Sequence, residues 1–225
     1  MISNNLFSLK GKTALVTGGS TGIGLMATVG LVSAGAKVFI VSRKLENCQN
    51  AAEELNNYDF EGEVIPFRGD LSSETGISDI TDEIYAQNSE LHILVNNAGR
   101  TWGSELSSFP YEAWAKVLNL NVSAIFYLTQ KLVPLLAASS KSDFPSRVVN
   151  IGSVMGEVPM GDGAYSYAAS KSAVHHITRI LAKELAERNI TVNALSPGPF
   201  QSNMTDFAIG DSKGTIRVSK RVPLK

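Results

Sequence analysis

At 225 residues, 44% of them hydrophobic, and without a low-complexity tract or long linker, the chain has material for one substantial core and reads as a single domain over 1–225. A net charge of -1 and a pI near 6.3 give no electrostatic basis for a nucleic acid or an anionic membrane as partner. The single cysteine, Cys48, rules out an intrachain disulfide, and His92, His175 and His176 have no ligand spacing, so no metal is expected.

The first residues, Met1 to Ser8, lack the basic flank and apolar run of a secretion signal, and no later run is expected to reach membrane-spanning length. A soluble cytoplasmic protein is the expectation. In chain order, a β-branched run at 12–17 leads into Thr17-Gly18-Gly19-Ser20-Thr21-Gly22-Ile23-Gly24 and a helical pattern over 22–34. A strand at 36–41 ends in Ser42-Arg43-Lys44 before a helix over 43–56. A strand at 63–67 leads to Asp70-Leu71 and a helix over 73–88. The fourth strand, 91–96, ends in Asn96-Asn97-Ala98-Gly99, and a long helical pattern covers 111–138. A fifth strand at 147–152 leads to Ser153, a helix over 165–188 carries Tyr165, Tyr167 and Lys171, and a sixth strand at 190–195 runs into Pro197-Gly198-Pro199-Phe200.

Apolar strands alternating with helices predict an α/β fold, a Rossmann-like doubly wound parallel sheet. Ligands of such sheets bind beyond the carboxyl ends of the strands, and five strand ends here carry candidate motifs. Glycines 18, 22 and 24 allow a sharp turn and close approach of a pyrophosphate to the amides opening the next helix, at a spacing wider than G-x-G-x-x-G. Tyr167 and Lys171, four apart, share a helix face, and a fixed cation can make a phenol more acidic. Tyr165 has Ala169 at the same offset, so it is the packing or pocket tyrosine.

Taken together, Thr17 to Gly24, Asn96 to Gly99, Ser153, Tyr167 to Lys171 and Pro197-Gly198 resemble the short-chain dehydrogenase/reductase family in motif, order and spacing over nearly the whole chain. Asn96 to Gly103, Asn150 to Ser153 and Ala164 to Tyr167 are similar to the bacterial β-ketoacyl (3-oxoacyl) reductases, the rhamnolipid-synthesis type among them. The resemblance implies a catalytic set of Asn121, Ser153, Tyr167 and Lys171. Tyr167 would exchange a proton with the substrate oxygen, Ser153 would hold that oxygen, and Lys171 would lower the tyrosine pKa and bind the nicotinamide ribose. Asn121, with Asn119 as its neighbouring rival, would hold a water linking Lys171 to solvent.

The acidic residue that NAD-selective folds place at the end of the second strand is missing, and Arg43 with Ser42 can hold a 2′-phosphate instead, so NADPH is the expected cofactor. Thr21 stands where many NADPH-using relatives carry a base, which leaves Arg43 most of the discrimination. The cofactor set implied is Gly18, Ser20, Thr21, Gly22, Ile23, Gly24, Ser42, Arg43, Asp70 and Leu71 beside adenine, Asn97, Ala98, Gly99, Tyr167, Lys171, Pro197, Gly198, Phe200 and Ser202. Trp102, Met155, Met160 and Phe200 are candidate walls for an acyl chain, and Asn203 to Lys220 a candidate lid.

Arg188 matches one carrier-docking position of the β-ketoacyl reductases, without a clear second arginine, so an acyl carrier protein is a candidate partner beside a free acyl thioester. The resemblance also implies a homo-oligomer, tetramer or dimer, and a further helix, strand and Asp-Gly-Gly-type ending after Lys225. Two other readings compete with a 3-oxoacyl reductase: an enzyme acting on another ketone or secondary alcohol, and a noncatalytic dinucleotide sensor. A sugar-nucleotide epimerase shares Tyr-x-x-x-Lys but needs a larger C-terminal substrate region.

Overall fold

A computed structural model describes residues 6–160 and 163–200. Six strands form one parallel sheet: β1 (Thr13–Thr17), β2 (Lys37–Ser42), β3 (Glu63–Arg68), β4 (Ile93–Asn96), β5 (Ser146–Ile151) and β6 (Ile190–Leu195), in the spatial order β3-β2-β1-β4-β5-β6. The helices are α1 (Gly22–Ser33), α2 (Leu45–Asn56), α3 (Glu74–Gln87), α4 (Tyr111–Leu118), α5 (Ala124–Ser139) and α6 (Tyr165–Leu185). The strand order reverses between β1 and β4, and that is where a doubly wound sheet opens a crevice at its carboxyl edge.

The strands are buried because each is sandwiched between helical layers, which is why they read as continuous apolar runs. One core cluster holds Leu15, Phe39, Leu94 and Val148 against α3, α5 and α6; the other holds Val16, Val38, Ile40 and Val95 against α1 and α2. A polar ladder crosses the first: Asn96 Nδ2 donates to Asn150 Oδ1 (2.8 Å) and Thr129 Oγ1 (3.1 Å), and Asn150 Nδ2 donates to Thr178 Oγ1 (2.9 Å). Paired in this way, these buried asparagines fix β4 and β5 against α5 and α6.

Two details depart from expectation. The single helix foreseen over 111–138 is α4 and α5 joined by a π turn, Asn119–Ser123. The combined run Tyr111–Ser139 is also long and apolar enough to cross a membrane, against the expectation that no run would be. Its apolarity has a visible use: Leu128, Leu132, Leu135 and Leu136 are core residues.

Candidate active site

The turn after β1 is built around main-chain contacts that leave no room for side chains. Gly18 and Gly22 have positive φ (64° and 54°), and a Cβ on Gly24 would lie 2.1 Å from the Gly18 carbonyl oxygen. Gly24 therefore lets α1 start directly against the strand end. Thr21, the N-cap of α1, is extended (φ -150°, ψ 158°) and makes no side-chain cap, so the first-turn amides are left for another acceptor. Asn97 closes the other side: its Nδ2 donates to the Thr17 and Gly18 carbonyls (2.9 and 3.1 Å), and its amide donates to Thr17 Oγ1 (2.9 Å). Asn97 thus joins the ends of β1 and β4.

These strand ends border a cleft of about 400 Å³. Gly18, Thr21, Gly22, Ile23, Ser42, Arg43, Asp70, Leu71, Asn97, Ala98, Gly99, Tyr167, Lys171, Pro197, Gly198 and Phe200 line it, as does Ser153. Ser20 and Gly24 do not; Ser20 is buried and Gly24 packs beneath the turn. Ser202 and the lid segment 203–220 lie outside the described residues. Reading motifs missed the lining residues Val41, Gly69, Ser72, Arg100, Leu120, Ile151 and Gly152. Most of these only follow from which strand ends lie side by side.

At the far end of the cleft, Ser42 donates to the Lys44 carbonyl (2.9 Å), which turns the chain so that Arg43 is exposed. Asp70 accepts from the Ser72 amide (2.9 Å); this bond holds its carboxyl below the usual range, against the opposing effect of burial and with help from Arg43 and Arg68. Arg68 sits beside Ser42 in the β2–β3 register, a second cation that the strand pattern did not single out. A glycine turn with free helix amides, two nearby guanidiniums and a long cleft together fit a phosphorylated dinucleotide.

The chemical end is formed by β5, α6 and the π turn. Ser153 is buried and its Oγ accepts from the Met155 amide (3.2 Å), capping the short 3₁₀ turn Val154–Gly156. Burial pushes the Tyr167 phenol above its ordinary value, and a hydrogen bond from Ser153 opposes that rise. Lys171 is 5% exposed; its Nζ donates to the Ile151 carbonyl (2.6 Å) and lies 5.5 Å from the Tyr167 ring centroid. Desolvation lowers its pKa to about 8. The ammonium is not among the groups lowering the phenol here, because it is drawn toward the β5 carbonyl rather than the hydroxyl.

Asn121 is fully buried in the π turn, whereas Asn119 is exposed. The Asn121 Nδ2 donates to the Arg100 carbonyl and to Ser170 Oγ (both 2.9 Å), and its Oδ1 accepts from the Arg100 amide (2.9 Å). Ser170 in turn donates to the Tyr167 carbonyl (2.7 Å). The side chain is therefore a strut between the β4 loop and the tyrosine turn of α6, with both amide hydrogens in use. The π turn is what points it inward.

Of the four residues expected to wall an acyl pocket, Phe200 lines the cleft, while Trp102 lies under Lys116 (5.9 Å to the ring centroid). An unforeseen aromatic group stands at the start of α6: Phe109 meets Tyr165 edge-on at 5.3 Å and Trp114 at 6.0 Å. Arg188 is exposed in the turn before β6, at the edge of the sheet opposite the cleft.

Comparison with known proteins places this geometry in context. The short chain dehydrogenase family matches residues 12–211. The rhamnolipids biosynthesis 3-oxoacyl-[acyl-carrier-protein] reductase of Pseudomonas aeruginosa is 45% identical over 97% of this chain and 84% of its own. The 5-keto-D-gluconate 5-reductase of Escherichia coli is 33% identical over 98% of this chain and 84% of its own. Among solved structures, the Pseudomonas aeruginosa RhlG/NADP active-site complex superposes with a TM-score of 0.92 at 44% identity, covering 98% of this chain and 85% of that one.

Proposed function

The chain belongs to the short-chain dehydrogenase family, and from that premise we propose an NADPH-dependent oxidoreductase that reduces a 3-oxoacyl thioester to its 3-hydroxyacyl form. The observation that carries this reading is a phenol on the same cleft wall as Ser153, its pKa raised by burial, one helical turn from a buried ammonium. When bound, NADPH supplies the hydride.

The residues of this chain divide the remaining work. The Gly18–Gly24 turn and the α1 amides would hold the pyrophosphate, and Arg43 and Ser42 would hold the 2′-phosphate. Lys171 would donate to the ribose hydroxyls, and Pro197, Gly198 and Phe200, which line the same cleft, would hold the nicotinamide end. Ser153 donates to the substrate carbonyl oxygen and orients it toward Tyr167. Tyr167 transfers its proton to that oxygen as negative charge develops there. A raised phenol pKa suits this direction: the donor is fully protonated at neutral pH, and an alkoxide is far more basic than a phenolate. Asn121 acts through Ser170, holding the turn of α6 that presents Tyr167.

The exposed Phe126 on α5 and Ile180 on α6 support a homo-oligomer, which sedimentation would measure. The position of Arg188 supports a free thioester more than a docked carrier, since a partner bound there would sit at the wrong edge of the sheet for this chain's own cleft. A second reading, a keto-acid sugar as substrate, has Arg100 in its favour, a cation on the cleft wall able to meet a carboxylate.

The test is NADPH oxidation with acetoacetyl-CoA, longer 3-oxoacyl thioesters and 5-ketogluconate, repeated with NADH and with Tyr167→Phe. Thioester turnover that prefers NADPH and falls by about 10²- to 10⁴-fold in Tyr167→Phe is expected. Turnover of the sugar acid alone favours the second reading, and cofactor binding without any turnover leaves a sensor.

A further inference from the structure

Behind Ser153 lies a second titratable group that the proposed reaction does not use. His175, on α6 one turn beyond Lys171, is 8% exposed and fills a cradle made by two glycines. A Cβ on Gly152 would lie 2.1 Å from His175 Nε2, and one on Gly156 would lie 2.8 Å from Cε1. The ring therefore occupies space that any larger residue would take. Gly152 directly precedes Ser153, and Gly156 ends the turn that Ser153 caps.

The ring's polar contacts are specific. His175 Nε2 accepts from the main-chain amide of Ser153 at 3.4 Å and lies 3.1 Å from Ser196 Oγ, just after β6. His175 Nδ1 lies 3.4 Å from Glu157 Oε1, within ion-pair range but without a hydrogen bond, and Ser196 Oγ donates to the same carboxylate oxygen at 3.3 Å. Glu157 comes from the end of the 3₁₀ turn, and Lys171, from α6 itself, is a further charged group on this side, turned to the Ile151 carbonyl. An Nε2 that accepts an amide hydrogen carries no proton, so the neutral ring bears its hydrogen on Nδ1, toward Glu157.

We propose that neutral His175 is a positioning residue for Ser153, and that its protonation releases the serine. With a proton on Nε2, the ring faces the Ser153 amide as donor against donor. The same proton suits Ser196 Oγ, which can accept it while donating to Glu157, and the Glu157 carboxylate balances the new charge. The two states thus share one set of atoms: in one the imidazole holds the Ser153 amide, and in the other it joins the Ser196–Glu157 pair. A long bond of 3.4 Å is easily exchanged for the charge-assisted set. The consequence is a reductase whose Ser153–Tyr167 pair loses its geometry as pH falls.

This inference rests on the proposed roles of Ser153 and Tyr167, and the experiment separates the two. The kcat for 3-oxoacyl thioester reduction is measured across about pH 5 to 8, where histidines change charge, in wild type, His175→Gln, His175→Leu and Ser196→Ala. His175→Gln can place an amide oxygen at the Nε2 position but cannot be protonated, so it keeps most of kcat at neutral pH and loses the acid limb. His175→Leu lowers kcat by about ten- to a hundredfold, as small misplacements of reacting groups do, with NADPH affinity unchanged. Ser196→Ala removes the acceptor for the protonated ring and moves the acid limb to lower pH.

An unchanged acid limb in His175→Gln, or a His175→Leu kcat within about twofold of wild type on the same misplacement scale, overturns the proposal; should His175→Leu fail to fold, the other two variants decide it. A readout without substrate or cofactor is the amide signal of Ser153 in NMR, which should titrate with the His175 ring in wild type and stay still in His175→Gln. If Tyr167→Phe remains fully active, the functional reading fails; if only the Ser153 signal ignores pH, this inference fails alone.

Discussion

Lys171 should make the fold less stable at neutral pH than it is in alkali, by an amount the structure lets one work out. Its pKa falls from 10.5 to about 8 because burial penalises the ammonium, with the Ile151 carbonyl as its hydrogen-bond partner. In the unfolded chain the amine keeps its ordinary value. Below pH 8 both states are charged and the native state bears the whole penalty, about 3 kcal/mol at 1.36 kcal/mol per unit. Between about pH 8 and 10.5 the unfolded state binds more protons than the native one, so native stability rises with pH and the penalty disappears.

Lys171→Met removes the titration while keeping a long apolar stem. Urea unfolding of both proteins without cofactor, at several pH values, gives the difference that isolates this residue from other groups titrating in alkali. The expected result is that wild type gains about 3 kcal/mol on the variant between pH 7.5 and 10.5. A difference that stays flat to within about 1 kcal/mol over that range refutes a desolvated ammonium. Because a charged Lys171 is proposed to hold the ribose, NADPH affinity should also decline above about pH 8 in wild type.

Three further outcomes follow from contacts already described. Arg43→Ala should raise the KM for NADPH by about ten- to a hundredfold, the worth of a charge-assisted bond, and leave that for NADH little changed; equal effects on both would remove Arg43 from discrimination. Asn121→Leu deletes three 2.9 Å bonds and strands the half-buried Arg100 amide, so urea titration should show a loss of about 3–5 kcal/mol. Gly24→Ala, whose Cβ would press on the Gly18 carbonyl, should weaken NADPH binding measured by fluorescence, while Gly30→Ala on the same helix, with open space around it, should stabilise by up to about 1 kcal/mol.

Much of this was legible in the chain because each strand of a doubly wound sheet is buried on both faces, so its boundaries are written in apolar runs and its ligand residues come directly after them. The Gly18–Gly24 turn, Asn97 and Ser153 stand at such boundaries, Tyr167 and Lys171 show in their helical spacing, and the parallel sheet follows from alternation with helices. What was not legible depends on neighbours far apart in sequence. Arg68 comes beside Ser42 only through the β2–β3 register. The π turn has no signature in Asn119–Ser123; it exists because Asn121 can satisfy Arg100 and Ser170 together. His175 reads as one of two adjacent helix histidines until Gly152 and Gly156 are seen to be shaped around it.

The departures from regular packing are concentrated at one end of the sheet. A desolvated lysine, a π turn, the positive-φ Gly18 and Gly22 and a histidine Nδ1 without a hydrogen bond lie along the carboxyl edge. Each opposes stability, and none has a packing advantage over a simpler residue. At the opposite edge the positive φ of Gly11, Gly35 and Asn189 belongs to the turns that lead into β1, β2 and β6, while His92 Nδ1 accepts from the Thr13 amide (3.1 Å) and Lys12 and Arg147 flank the Phe144 ring. The Asn96–Asn150–Thr178 ladder and the two cores supply the rigidity against which that strain is held. A fold whose unfavourable groups gather where five strand ends converge is organised around chemistry at that edge, and this argues against a sensor, which needs the glycine turn but neither the buried Lys171 nor the strut beneath Tyr167.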